Sequence, residues 1–266
     1  MAQATLPREL AYLNPLLVED LARYGNARDG GYVLPAGAVA GIDAMLSFGL
    51  ATDWSVERDL AARIPGLVIH AYDHSVSERY FRRARRGALV KFLRGKSSLA
   101  ELKSRNAVCT GYRAFFTGPH VHYRERVFNR QDSASDATIE RIFGRLEGRA
   151  HLLVKMDIEG GEYRVIPALL GFADRIDVMV IEFHDTDPLR AIFERQVKAL
   201  LGAFDIVHLH GNNIAGSALD GLPEVLEITF LNKRFAAGPA RRDRLPIAEL
   251  DFPNDGKKPD LALSFR

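Results

Sequence analysis

Between Ile42 and Asn232, short apolar runs alternate with helix-patterned stretches, and this alternation limits the possible folds more than any other feature of the chain. "AMLSFG" (Ala44 to Gly49), "LVIHAYD" (Leu67 to Asp73), "HLLVKMDI" (His151 to Ile158), "DVMVIEFHD" (Asp177 to Asp185), "FDIVHLHG" (Phe204 to Gly211) and "PEVLEITFLN" (Pro223 to Asn232) each read as a strand. "SVERDLAARI" puts Val56, Leu60 and Ile64 on one helical face behind Ser55 as N-cap. "EYRVIPALLG" and "PLRAIFERQVKALLG" read as further helices. Continuous apolar strands joined by helices predict an α/β fold, a mostly parallel sheet covered on both faces. With 266 residues, 47% of them hydrophobic and no internal repeat, the chain reads as a single domain.

Sheets of this kind bind ligands at the carboxyl ends of their strands. Polar and titratable residues gather at those ends here. Asp73 closes one strand, and Asp157 and Glu159 close another. Glu182, His184 and Asp185 follow the next, and His208, His210, Asn212 and Asn213 the one after. The sharpest case is "HLLVKMDIEGGEYRVI", where an apolar strand runs into Asp157, Glu159 and Glu162 around Gly160 and Gly161. Burying an unpaired carboxylate costs several kcal/mol, so this cluster predicts a site.

The turn "LSFGLATDWSVE" (Leu46 to Glu57) has one glycine, Gly49, where a dinucleotide enzyme would carry G-x-G-x-x-G. It also carries Asp53 and Glu57, which would repel a pyrophosphate and suit a cationic ligand. Asp73, ending the next strand, stands where an acid accepts ribose hydroxyls. A ribose with a cationic centre and no phosphate loop points to S-adenosylmethionine.

These residues have a family resemblance. "LLVKMDIEGGEYRVI" resembles the K-x-D-x-E-G-x-E block of the FkbM-type family of S-adenosylmethionine-dependent methyltransferases. "RYGNARDGGYVLP" (Arg23 to Pro35), the S-F-G…D-x-S-x-E pattern at Ser47 to Glu57, "HLHGNN" and "ELDFPN" (Glu249 to Asn254) are similar to further segments of one branch. The resemblance implies the class I methyltransferase fold, a Rossmann-like sheet of seven strands with the last antiparallel, and methyl transfer to a hydroxyl of a sugar or natural product. It also implies that Ser47, Phe48, Gly49, Leu50, Asp53 and Asp73 surround the cofactor.

Methyl transfer to oxygen needs an aligned nucleophile and a place for its proton. Asp157, Glu159 and His184 are the catalytic candidates, and His208, His210, Asn212 and Asn213 the acceptor-binding ones. Glu162 reads as a helix cap or a partner of the helix dipole. The H-x-H spacing of His208 and His210 is compatible with a metal pair, but no closed ligand set is visible and no metal is expected. A metal-dependent hydrolase using His208, His210, His184 and Asp157 is one alternative. A non-catalytic protein that docks anionic partners is another.

Two regions stand outside the alternation. Ser77 to Gly118 is a helical insertion with eight basic residues and no acid between Arg79 and Lys96. It reads as a solvated face or as a contact for a phosphate or an anionic membrane. The tail from Phe235 to Arg266 has little periodicity and reads as irregular chain wrapped over the domain. Net charge is only +2 and says little about partners; no nucleic-acid partner is expected. Cys109, the lone cysteine, forms no internal disulfide, "MAQATLPREL" lacks a leader pattern, and no apolar run approaches a span. The expectation is a cytoplasmic protein acting on a small-molecule or glycan acceptor.

Overall fold

A computed structural model describes residues 3–235 and 238–265, so Ala236, Ala237 and Arg266 of the tail lie outside the described residues. The centre is a seven-stranded sheet. Its strands are β1 (Ala44–Phe48), β2 (Val68–Tyr72), β3 (His120–Tyr123), β4 (Leu152–Met156), β5 (Ile176–Phe183), β6 (Phe204–Gly211) and β7 (Leu226–Asn232). Across the sheet they run in the order β3-β2-β1-β4-β5-β7-β6. β7 is antiparallel to β5 and β6, and the remaining pairs are parallel. This order, with its single reversed strand, is the class I methyltransferase fold.

Helices cover both faces: α1 (Ala36–Ala40), α2 (Ser55–Arg63), α3 (Glu78–Leu93), α4 (Leu99–Phe115), α5 (Ile139–Gly144), α6 (Glu162–Leu169) and α7 (Arg190–Leu200). The strand pleat divides the core between them. Along β1, Leu46 and Phe48 join one apolar cluster and Met45 the other. Along β5, Ile181 and Phe183 face one way and Val178 and Val180 the other. Each such side chain, once buried, stabilises the fold by about 1.5–3 kcal/mol.

Three local features differ from the sequence reading. β3 was not expected, because "HVHY" on a sheet edge is half-buried throughout and shows no apolar run. Trp54, not Ser55, occupies the N-cap position of α2, and the side chain that reaches this helix end is that of Asp53, accepting from Ser55 N at 2.9 Å. Ser55 is helical, and its hydroxyl serves the N-terminal hairpin of Leu21–Gly25 and Gly31–Pro35 instead, accepting from Asn26 N at 3.1 Å. The tail is more than irregular wrapping. Its segments Arg244–Leu245 and Ala262–Phe265 build a small sheet with Gln3–Leu6, and its loops enter the interior described below.

The insertion is a pair of packed helices, α3 and α4, capped by Ser77 and Ser98. Each cap satisfies an otherwise unpaired backbone N–H and contributes about 1 kcal/mol. Phe81, Cys109 and Tyr112 seat the base of the pair on Trp54, Leu50 and Ala71, beside the turn after β1.

The strand order reverses between β1 and β4, and there the two following turns touch. Asp157 N–H donates to Phe48 O at 2.9 Å, and Lys155 Nζ donates to Gly49 O at 2.5 Å. Gly49 has φ +83°, and a Cβ there would fall 1.6 Å from Asp157 O. Gly49→Ala is therefore expected to lower stability by at least about 2 kcal/mol in urea unfolding. Gly66→Ala is the control, because its φ is +79° but its Cβ would meet open space. Backbone strain alone should cost it about 1 kcal/mol. Equal losses for the two variants would refute the close-approach account.

Candidate active site

Two clefts open at the carboxyl edge of the sheet and share a wall. The larger, about 440 Å3, crosses the ends of β1 to β4 and is lined by Gly49, Tyr72, Asp73, Phe128, Asp157, Glu159 and Arg164, among others. The smaller, about 260 Å3, lies beyond β4 and is lined by Asp29, Asp157, Glu159, Glu182, His184 and Asn212, among others. Asp157 and Glu159 belong to both.

The acidic turn is held from behind. Glu162, fully buried, accepts from Ile158 N at 3.0 Å and Gly160 N at 3.3 Å. Its role is thus to reach back into the turn, whereas the N-cap position of α6 belongs to Gly161. These two bonds hold Glu159 between them at φ +55°, an uncommon conformation for a residue with a side chain. Gly160 follows at φ +87°. The Nδ1–H of His184 donates to the same Glu162 oxygen at 3.2 Å, leaving Nε2 turned toward the clefts.

Negative charge crowds the smaller cleft. Burial raises the pKa of Asp157, with Glu159 and Glu162 adding to it and Lys155 and His184 opposing. Glu182 is buried and pushed well above the ordinary carboxylate range by desolvation, then by Glu227 and Asp157. Burial opposes the charge on His184, but Glu162, Glu182 and Asp157 outweigh it and lift its pKa to about 9. Tyr32 from the N-terminal hairpin is buried near the same acids, and its hydroxyl is held neutral.

In the larger cleft Asp73 is already bonded. Oδ2 accepts from Leu50 N at 3.0 Å and Ala51 N at 2.8 Å, and Oδ1 from Ser75 N at 2.7 Å and Ser75 Oγ at 2.6 Å. Burial opposes its ionisation, yet these donors hold its pKa below the ordinary value. Asp73 thus ties the turn after β1 to the end of β2. Phe128 is half-buried in the wall, flanked by the guanidinium carbons of Arg126 at 4.2 Å and Arg164 at 5.3 Å. Glu125 is clamped by Arg145 at 2.6 Å and Arg141 at 3.0 Å.

Several expected site residues sit elsewhere. Asp53 lines neither cleft; it accepts from Asn26 Nδ2 at 2.5 Å and Ser55 N at 2.9 Å, binding the N-terminal hairpin. Ser47 is buried in the sheet with its hydroxyl on Glu57 at 2.5 Å, and Phe48 is core. Leu50 contributes its backbone N–H to Asp73, and its side chain packs in the apolar cluster of Trp54, Phe81 and Tyr112. His208 and His210 are no metal pair. His208 Nε2 meets Asp251 at 3.1 Å, while His210 meets Glu227 at 3.3 Å and Asp260 at 3.1 Å. Asn213 Nδ2 donates to Asp255 O, Lys258 O and Pro259 O. These three anchor the tail to β6, so the hydrolase ligand set of His208, His210, His184 and Asp157 does not form. Asn212 alone of the acceptor-binding set reaches a cleft, donating to Glu182 at 3.0 Å.

Phe128, Tyr32 and Asp29 were not singled out as site residues. Phe128 follows the unrecognised edge strand. Asp29 and Tyr32 lie in the quoted "DGGY" segment, but only folding brings that hairpin to the cleft.

No family model matches the chain, and no curated protein matches it. Solved structures resemble it distantly. The fibrillarin pre-rRNA processing protein of Methanococcus jannaschii is 12% identical over 73% of this chain and 68% of its own, with TM-score 0.39. The precorrin-6y C5,15-methyltransferase of Geobacter metallireducens is 12% identical over 74% and 87%, with TM-score 0.37. A predicted O-methyltransferase from Agrobacterium tumefaciens is 13% identical over 86% and 84%, with TM-score 0.33. Likeness at this level concerns the fold alone; the fold assignment rests on the strand order.

The tail anchor has a pH signature. Burial opposes the charge on His210, but Glu227 and Asp260 outweigh it and raise its pKa to about 10. An unfolded histidine titrates near 6.5, so the stabilisation is complete below about pH 6.5 and is lost as pH rises toward 10. Thermal unfolding between pH 6 and pH 10 is expected to show wild-type stability falling faster than that of His210→Gln. Parallel pH profiles would refute the charged-histidine anchor.

Proposed function

We propose that this protein is an S-adenosylmethionine-dependent methyltransferase of the FkbM type, acting on a hydroxyl oxygen of a carbohydrate, glycolipid-like or natural-product acceptor. One observation carries the reading: Asp157 and Glu159 form a wall common to both clefts, so groups bound on either side meet there. The larger cleft fits the cofactor. Phe128 offers an aromatic face for a purine, Asp73 and Ser75 a polar edge for ribose hydroxyls, and Asp157 and Glu159 negative charge for a cationic centre. Lys155 and Gly49 hold the turn beneath it. The bound cofactor supplies an electrophilic methyl group on its sulfonium.

The remaining work falls to this chain. Asn212, Glu182 and Asp29 line a small, polar cleft suited to a polyhydroxylated acceptor. Asp157 is the group we assign to the acceptor proton, because burial makes it a stronger base than a solvated carboxylate. His184, protonated at neutral pH, faces that carboxylate across 3.9 Å and offsets its charge.

The basic hairpin supports an assignment of where the acceptor is met. Arg79, Arg82, Arg83 and Arg86 line one groove of α3 together with Glu78, and among the described residues none of the four guanidinium groups forms an ion pair, Glu78 pairing with Arg113 instead. At the far end Leu93 is 74% exposed, beside Leu89, Val90 and Leu99. A basic face with bare leucines suits an anionic lipid surface, each basic residue contributing about 1 kcal/mol near it. No described helix is long and apolar enough to cross a membrane.

Three measurements test these readings. Asp73→Ala should weaken S-adenosylhomocysteine binding by about 1.5–3 kcal/mol in calorimetry. An unchanged affinity would remove the ribose assignment. Asp157→Asn should cut turnover about 100-fold or more with little change in cofactor affinity. Near-full turnover would make the turn structural. Changing Arg82, Arg83, Arg85 and Arg86 to Gln should abolish low-salt binding to anionic vesicles, and equal binding to neutral and anionic vesicles would exclude the membrane reading.

A further inference from the structure

Three candidate ligand atoms, two from the turn after β4 and one from the end of β5, converge on the shared wall without hydrogen-bonding one another. Oxygens of Asp157 and Glu159 and Nε2 of His184 all lie within 4.8 Å of each other. Nε2 is 3.5 Å from Glu159 Oε2, 3.9 Å from Asp157 Oδ1 and 4.0 Å from Glu182 Oε1. These separations exceed a hydrogen bond. A cation held about 2.1 Å from each ligand sets neighbouring ligands about 3 Å and opposite ones about 4 Å apart, so side-chain shifts of about 1 Å would close this set around an ion.

Two further features point the same way. Glu182 is only 5% exposed, and Asn212 is its side chain's one hydrogen-bond donor among the described residues. It is aimed into the cluster, and Glu227, another buried acid, is its cross-strand neighbour. On the other side of the ring, Glu162 accepts from Nδ1–H, which orients Nε2 toward the acids, where a bound cation would take the place of the Nε2 proton. A carboxylate behind the ring is the usual support of a metal-bound imidazole.

We propose that Asp157, Glu159 and His184, with Glu182 behind them, form a binding site for one hard divalent cation of the Mg2+ or Mn2+ kind. Three carboxylates and one imidazole favour such an ion over the thiolate-loving metals, and Cys109 is buried in a different cluster. The site lies on the wall between the two clefts. An acceptor hydroxyl entering the smaller cleft would bind the cation through its oxygen, which acidifies it. Asp157 would hold the ion through Oδ1 and leave Oδ2 for the proton. This role rests on the methyltransferase reading, but the ion site itself does not.

The test is Mn2+ binding to the full-length protein at neutral pH, followed by electron paramagnetic resonance without cofactor or acceptor. Wild type should bind one Mn2+ per chain at submillimolar concentration, displaceable by Mg2+. Asp157→Asn and Glu182→Gln should weaken binding about tenfold or more. Glu159→Gln should weaken it too, and its side chain, 87% exposed, can change without disturbing the fold. No saturable Mn2+ binding, or unchanged affinity in Glu159→Gln, would overturn the proposal. A parallel titration with S-adenosylhomocysteine separates the two readings: Mn2+ binding without it keeps the ion site and removes the methyltransferase, and the reverse removes only the ion site.

Discussion

The crowding of carboxylates at the ends of β4 and β5 is the constraint around which this molecule is arranged. Asp157, Glu159, Glu162 and Glu182 lie around one imidazole, three of them largely removed from water. Like charges at these distances in a low dielectric repel by several kcal/mol unless something offsets them. The chain supplies part of the offset: the backbone N–H groups of Ile158 and Gly160 for Glu162, the imidazolium of His184, and the buried Lys155 beneath. What remains is negative potential facing two open clefts. A fold stores such an arrangement at a cost in stability, and that cost is commonly found at functional sites.

The same turn is where the sheet changes direction. Strands on either side of β1 and β4 diverge as the sheet twists, and the space above the reversal is left open by geometry. One backbone bond, from Asp157 N to Phe48 O, and the Lys155 ammonium on Gly49 O tie the two turns together beneath that opening. The acids are therefore presented on a stiff edge, with loops around them free to differ.

The N-terminal hairpin and the C-terminal tail close the far side. Arg23, pinned to Asn26 O, Arg28 O and Leu250 O, joins the two. His208, His210 and Asn213 draw Asp251, Asp255 and Asp260 of the tail onto β6. Segments more than two hundred residues apart are thus tied together, and polar residues of β6 that look like ligands in the sequence are spent on chain closure.

Period and composition by themselves determined the layered α/β architecture, five parallel or antiparallel strand positions beyond β1, and the edge of the sheet at which the acids gather. Those follow from local physics: continuous apolar runs must be covered on both faces, and a strand end is where polar residues can emerge. The acidic turn was legible for the same reason, since three carboxylates after a buried strand cannot be neutral to folding. Tertiary structure alone decided which of the polar residues face a ligand. Asp53 and His210 are as polar and as well placed in the sequence as Asp157, yet a hairpin and a tail reach them first. Whether a side chain is free or already bonded depends on partners distant in the chain, and such pairing leaves no periodic trace along it.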